Sequence, residues 1–422
     1  MRVEIVCTGD EVLSGKTVNT NYSHMARRLQ EVGIDVLWGT TVGDDRASLR
    51  EAFRHAGARA DAVIVNGGLG PTVDDLSQEV AAEAAGVGLA LDEAWLARIE
   101  GFYAARGRVM PPNNRKQAML PEGAEFIDNP IGTACGFAID IGGARFFFTP
   151  GVPREIRLML DEEIIPRLLK LSGGRSVVRL KRFHSFGLGE SRVDDMLTGV
   201  EALADGGEVK LGFQAHYPEL ETKLFARGAD AAALERLTAP IEAAIRERLG
   251  SYILAEDDAS LESVILDALA AIGGTLAIAE AGTHGAVAGR IVAADGALSA
   301  FRRGGLGADA AALATALDVE DGGAASPALA ARLAEAVRRT SETTHGLAVL
   351  IPGGAEGGPG GGEGPVFIAI AAEGAPTVTR AARIVGGRDR VRAGGVEMGL
   401  DCLRRALKGL AVDDPVDFEK RG

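Results

Sequence analysis

Apolar positions over the first 150 residues switch between two periods. "RVEIVC" (2–7) is a short continuous run suited to a buried strand, and 21–32 place Met25, Leu29 and Val32 on one helical face. "IDVLWGTTVG" (34–43) predicts a second strand, 47–56 a second helix, "DAVIVNGG" (61–68) a third strand, and 75–86 a third helix ended by Gly86. Strands separated by helices imply a parallel sheet covered on both faces. "GFAIDIGGARFFFTPG" (136–151) predicts a hairpin around Gly142-Gly143, and Pro153 opens a helix to about Leu171.

The pattern breaks at "SGGRS" (172–176). Beyond it come strand-like "VVRLKRFHSFG" (177–187), a helix over 190–199, strands in "VKLGFQAHYPELETKLFARG" (209–228) and a helix from Ala231 to Leu249. A third segment starts near Asp258 with the helical "SLESVILDALAAIGG", then strands "TLAIAEA", "GLAVLI" and "PVFIAIA", and a helix around 389–407. The expected organisation is α/β: a three-layer domain with a parallel sheet (1–171), a small α+β domain (172–257) and an α/β domain (258–422). The stretch 352–365 holds eight glycines and three prolines and is expected to be a mobile loop.

A length of 422 residues fits roughly two to four domains. With 46% hydrophobic and 25% charged residues the chain is globular rather than disordered. A net charge of -14 without a basic run makes a nucleic-acid backbone an unsuitable partner. No apolar stretch is long enough for a bilayer, and residues 1–30 carry Asp10, Glu11 and a helical pattern instead of a signal peptide, so a soluble cytoplasmic protein without membrane partners is expected. Cys7, Cys135 and Cys402 are few and far apart, which suits a reducing compartment.

Chemistry concentrates in "VIVNGGLGPTVDDLSQE" (63–79). Glycines at the end of a strand, followed by a helix N-terminus, let backbone N–H groups approach an anion. The Gly-Lys-Ser/Thr signature of a P-loop is absent, so the motif by itself fits a tight turn as well as a phosphate cradle. Thr72-x-x-Asp75 likewise fits an ordinary N-cap. Consecutive helical positions point about 100° apart, however, so one of Asp74 and Asp75 can cap while the other faces a crevice. Asp10-Glu11 follows the first strand and Asp44-Asp45 the second. Three acidic pairs on one sheet edge favour a metal-assisted phosphate site.

Six segments in order, "TGDEVLSGKTVNTN", "TVGDD", "NGGLGPTVDD", "NNRKQAMLP", "NPIGTACG" and "TPGVPRE", resemble the N-terminal domain of the competence/damage-inducible protein CinA family. That domain shares the molybdopterin-binding fold of molybdenum-cofactor biosynthesis proteins. The resemblance implies metal-dependent hydrolysis of the pyrophosphate in ADP-ribose or a related dinucleotide. It makes Gly67, Gly68, Gly70, Pro71 and Thr72 the phosphate-facing loop and assigns substrate contacts to Asn19, Asn114 and Gln117. It makes Asp10, Glu11, Asp44, Asp45, Asp74 and Asp75 candidate metal ligands, and Asp44, Asp75 and Lys116 candidate catalytic groups. Lys116 would supply the positive charge that the loop lacks, and Pro150-Gly151-Val152-Pro153 would shape the wall. The implied cofactor is a divalent cation (Mg, Mn or Co), with or without a monovalent one, and the implied partner a nucleotide or dinucleotide. The alternative is a non-catalytic nucleotide- or pterin-binding or assembly protein.

The third segment resembles the family's nicotinamide mononucleotide deamidase domain but departs from it. Where the family has Ala-Glu-Ser-Cys-Thr-Gly-Gly, this chain has Ala279-Glu280-Ala281-Gly282-Thr283-His284-Gly285, and a methyl group cannot act as nucleophile. The region of the Tyr-Ser-Asn-x-x-Lys run reads "GGLGADAAALATALDV" (304–319), with no lysine between Arg303 and Lys408. Leu350 stands where a threonine belongs. Thr283 with His284, or Ser299, are the available substitutes, but neighbours in a turn rarely orient productively. The remaining histidines show no metal-ligand spacing. An inactive domain kept for packing is expected, its apolar strands suited to the interface of a homodimer.

Overall fold

The computed structural model describes residues 1–173, 177–205, 208–320, 323–353 and 362–420. The chain forms two compact units, one of residues 1–179 with 227–231, the other of 180–226 with 232–422.

In the first unit, strands β1 (Val3–Thr8), β2 (Val36–Val42) and β3 (Ala62–Asn66) are followed by a small antiparallel pair, β4 (Leu89–Leu91) and β5 (Met119–Pro121). Strands β6 (Glu125–Ile127), β7 (Gly136–Ile141) and β8 (Ala144–Thr149) complete a six-stranded sheet of order β2-β1-β3-β8-β7-β6. Its first four strands are parallel, β7 is antiparallel to β8 across the hairpin at Gly142-Gly143, and β6 is antiparallel to β7 in turn. The expected parallel sheet is therefore mixed at one end. β1 and β3 are buried at every residue, as befits interior strands, whereas β2 alternates and lies at the edge.

Period-two alternation divides the core. Ile5, Ile64 and Phe147 face the helix Thr20–Glu31 (Met25, Leu29) and the helical run Pro153–Leu171 (Ile156, Leu160, Leu168). Val6, Val63, Val65 and Phe148 face the helices Arg46–Arg59 (Phe53), Ser77–Ala85 (Val80) and Glu93–Ala104 (Trp95). The result is three layers. The run Pro153–Leu171 contains a π turn at Leu160–Ile164, just before Pro166, which has no N–H to donate to the preceding turn.

In the second unit, β9 (Val177–Phe186), β10 (Glu208–His216), β11 (Glu219–Gly228) and β12 (Ile253–Glu256) form a sheet of order β10-β11-β9-β12. Ile241, Ile245 and Leu249 of helix Ala231–Leu249 pack on it. Strands β13 (Leu276–Ala281), β14 (Phe301–Gly307), β15 (His345–Leu350), β16 (Glu363–Ala372) and β17 (Val378–Val385) form the third sheet, β14-β13-β15-β16-β17. β14 and β17 lie in segments whose glycine and charge content hid them from periodicity. Helices Leu261–Ala271 and Arg388–Leu407 cover one face of this sheet, and Ala310–Ala316 and Pro327–Thr340 the other. The apolar strands β13, β15 and β16 are thus buried within the chain itself. Their hydrophobicity, expected to suit a homodimer interface, is satisfied by helices of the same chain and does not call for a second copy. The expected mobile loop falls mainly on 354–361, outside the described residues, and 363–365 already belong to β16. No helix among the described residues is long and apolar enough to cross a membrane.

Candidate functional site

A cavity of about 520 Å³ opens at the C-terminal edge of the first sheet, where β1, β2, β3 and β8 end. The turn after β3 forms its floor. Gly67 and Gly68 have φ of 112° and 72°, a region that favours glycine. A Cβ at Gly67 would meet Thr8 Oγ1, and one at Gly68 would meet Ser77 Oγ. That serine donates to Gly67 O at 2.9 Å, fixing the turn to the following helix.

The helix begins at Ser77, later than the pattern suggested, and has no side-chain cap. Asp75 accounts for the difference. Its Oδ2 accepts the Thr72 N–H at 2.8 Å and the Thr72 hydroxyl, closing a separate turn ahead of the helix. Asp74 is exposed, and hydrogen bonding within the turn together with the charge of Lys116 holds its carboxyl below the usual range.

On the acidic side, the Asp10 N–H donates to Asp44 Oδ2 at 3.0 Å and the Asp44 N–H to Asp10 Oδ1 at 3.2 Å. Burial pushes the Asp44 pKa up, and the negative charges of Asp10, Glu11 and Asp74 add to the rise against the Asp10 backbone bond. Asp45 instead caps helix Arg46–Arg59, accepting from Ser48 N at 2.8 Å, and lies outside the cavity wall. Asn19 caps helix Thr20–Glu31 through Tyr22 N and also lines the cavity.

The segment Pro112–Ala118 is a 3₁₀ helix that braces the turn from behind. Asn114 Nδ2 donates to Gln117 Oε1 at 2.7 Å, and Gln117 Nε2 to Leu69 O at 3.4 Å. Lys116 Nζ donates to Thr72 O at 3.2 Å and lies 3.5 Å from Glu79 Oε1. Of the residues expected from sequence, Glu11, Asn19, Asp44, Gly67, Gly68, Gly70, Pro71, Asp74, Asp75 and Gln117 line the cavity. Asp10, Thr72, Asn114 and Lys116 do not line it, nor does the capping Asp45. Among the described residues, no three His, Cys, Asp or Glu side chains converge on a ready-made metal site.

Asn66, Thr133 and Glu155 are among the cavity residues that the sequence pattern did not single out. Asn66, buried at the end of β3, donates to Pro150 O at 2.7 Å and accepts from Asn21 Nδ2 at 2.9 Å, tying the glycine turn to the end of β8. Thr133 and Glu155 line the wall beyond the turn. Glu155 stands in the first turn of the helix opened by Pro153, and burial raises its pKa. The segments "NPIGTACG" and "TPGVPRE" carried the signal, but nothing local singled out these side chains.

Family models match three consecutive stretches: a probable molybdopterin binding domain at 4–170, the damage-inducible protein CinA KH domain at 180–255, and the CinA C-terminal domain at 258–407. The CinA-like protein of Shewanella sediminis is 39% identical over 98% of this chain and 97% of its own length. The chain belongs to the CinA-like protein family. The CinA-like protein of Frankia casuarinae is 38% identical over 97% of each chain. The solved structure of CinA from Thermoplasma acidophilum is 36% identical, spanning 39% of this chain and 96% of its own, with a TM-score of 0.37.

The CinA C-terminal domain holds a cavity of about 1050 Å³ where β13, β14 and β15 end, lined by Ala281, Gly307 and Leu350 among others. Its polar lining among the described residues is His284, Asp309, Arg388 and Arg392, with no serine, threonine, cysteine or lysine. Asp309 caps helix Ala310–Ala316. Thr283 is buried and gives its hydroxyl to Glu280, which also accepts from Val287 N and Ala288 N at 3.0 Å. His284 Nδ1 lies 3.2 Å from Arg392, not against Thr283, and Ser299 donates to Gly296 O at 2.7 Å outside the cavity. The substitute nucleophiles are thus engaged elsewhere.

Proposed function

We propose that the N-terminal domain hydrolyses the pyrophosphate of ADP-ribose or a related dinucleotide, and that the C-terminal domain has no nicotinamide mononucleotide deamidase activity. The observation that carries the first part is one cavity floored by the Gly67–Pro71 turn and walled on one side by Glu11, Asp44 and Asp74. Backbone N–H groups of the turn would hold a phosphate, and the Thr72–Asp75 bonds keep the turn in shape without the ligand. Lys116 would act from behind, its charge reaching the phosphate past the Thr72 carbonyl that it holds.

The residues fit a hard divalent cation. Asp44 is crowded by Asp10, Glu11 and Asp74, and no Lys or Arg pairs with it among the described residues. One or two carboxylates with water and substrate oxygens suffice for magnesium, so three converging side chains are not required. One or two of Asp44, Glu11 and Asp74 would hold the ion, which would supply charge neutralisation at the phosphates. Asp44 or Asp75 would orient the attacking water and take its proton as the water oxygen bonds to one phosphorus, the bridging P–O bond breaks and AMP departs.

The C-terminal part rests on the cavity lining, which among the described residues offers no serine, threonine, cysteine or lysine. The test for the N-terminal domain is AMP release from ADP-ribose by the full chain with magnesium, manganese or cobalt. Release that stops on chelation is expected. Nucleotide binding without release would move the chain to the binding or assembly reading.

A further inference from the structure

We infer that Glu155 accepts hydrogen bonds from the ribose hydroxyls of the bound nucleotide and makes the N-terminal cavity selective for ribonucleotides over deoxyribonucleotides. This rests on the pyrophosphatase reading for the class of ligand. The sheet order places the groups in a row along one edge: Asp44 after β2, Glu11 after β1, the glycine turn after β3, and Glu155 after β8. The turn therefore lies between the acidic wall and Glu155. The loop after β8 abuts the turn, since a Cβ at Gly151 would lie 3.5 Å from Gly67 Cα, and Glu155 follows in the next helix on the same cavity wall. With the phosphate over the turn and the acidic wall on one side, the sugar extends toward Glu155.

The carboxylate is held for such a role. Asn129 Nδ2 donates to Glu155 Oε2 at 2.8 Å and to Ala134 O at 2.7 Å. Asn129 is fully buried, and its Oδ1 accepts from Ile131 N at 3.3 Å and Gly132 N at 3.1 Å, so the amide cannot turn. One oxygen of Glu155 is thus anchored. The other has no hydrogen-bond partner among the described residues, and the side chain lines the cavity. An ionised carboxylate only accepts hydrogen bonds and repels phosphate, so what suits it beside an anion site is a neutral donor. A pair of sugar hydroxyls is such a donor, and carboxylates elsewhere read ribose in this way. No Lys or Arg forms an ion pair with Glu155 among the described residues, so its free oxygen is not spent on a structural salt bridge.

The experiment compares two symmetric substrates, diadenosine diphosphate and its bis(2′,3′-dideoxy) counterpart, on the full chain with magnesium, so that binding orientation is irrelevant. Hydrogen bonds to a charged group predict that the wild type favours the ribo substrate by ~10- to 100-fold in kcat/KM, chiefly through KM. Glu155→Gln should bring that ratio to within ~3-fold of unity through loss on the ribo substrate, with dideoxy kinetics unchanged. A wild type that does not discriminate overturns the inference without any variant. Equal losses on both substrates in Glu155→Gln also overturn it, and would make the residue a base at phosphate. Calorimetric binding of the same pair separates the two readings. Selective binding without hydrolysis removes the pyrophosphatase reading and keeps Glu155 as the ribose reader, hydrolysis with an unchanged ratio in the variant removes the inference alone, and no binding of either ligand removes both.

Discussion

Asp10 and Asp44 hold each other reciprocally, each backbone N–H donating to the other's carboxylate at 3.0 and 3.2 Å. Two like charges on neighbouring strand ends are thereby kept close, with no Lys or Arg ion pair to either among the described residues. Asp44→Asn keeps an acceptor for the Asp10 N–H but removes the charge. Pyrophosphate hydrolysis should fall at least ~100-fold, mainly in kcat, with an unchanged thermal midpoint. Asp75→Asn should lose a similar factor with a marked rise in KM, because it loosens the Thr72 turn. Steady-state kinetics at saturating metal distinguish these outcomes, and wild-type turnover in both variants would exclude the two carboxylates from the mechanism.

Lys116→Ala should weaken dinucleotide binding about 10-fold while leaving metal affinity intact. The side chain supports Thr72 from behind the turn rather than lining the cavity, so the loss should appear in binding more than in the chemical step. Titration calorimetry with and without metal is the check. Unchanged affinity would reduce Lys116 to a surface partner of Glu79.

Residues 258–422 within the full chain should release no ammonia from nicotinamide mononucleotide. Ala281→Ser alone should not restore release, since no lysine lines that cavity among the described residues, Asp309 caps a helix and His284 lies against Arg392. An ammonia assay beside a relative carrying the complete serine and lysine pattern decides it. Release near the relative's rate would mean that a nucleophile has been relocated.

Glu256 links stability to acid. Arg246 donates to its two oxygens at 2.7 and 2.8 Å, and with Lys181 holds the carboxyl down at about 2 from an ordinary 4.5. A depressed folded-state pKa contributes stability above pH 4.5 that is lost as pH falls toward about 2. Glu256→Gln should therefore melt lower than wild type at pH 7, with the gap closing between pH 4.5 and 2. Thermal melts across that range are the check, and a gap constant with pH would remove the ion pair as its cause.

Sequence by itself determined what depends on near neighbours. The unbroken apolar runs of β1 and β3 marked interior strands, Gly142-Gly143 marked the hairpin, and Gly86, in the left-handed region at φ 74°, marked the end of its helix. The ordered motifs also located the cavity, because strand ends in a parallel sheet share one edge. Side-chain direction was another matter. Asp45 reads like Asp44 along the chain, yet one caps a helix and the other faces the cavity, and Asp75 bends back onto Thr72 instead of opening the helix. Lys116 reached the turn as expected, but behind it. Glu155 and Asn129 lie 26 residues apart in the chain and meet only because β7 and β8 bring their flanking loops together. Only the tertiary structure could decide that β13, β15 and β16 are covered by helices of their own chain. Periodicity reports that a face is buried, whereas what covers it is set by contacts between residues far apart in sequence.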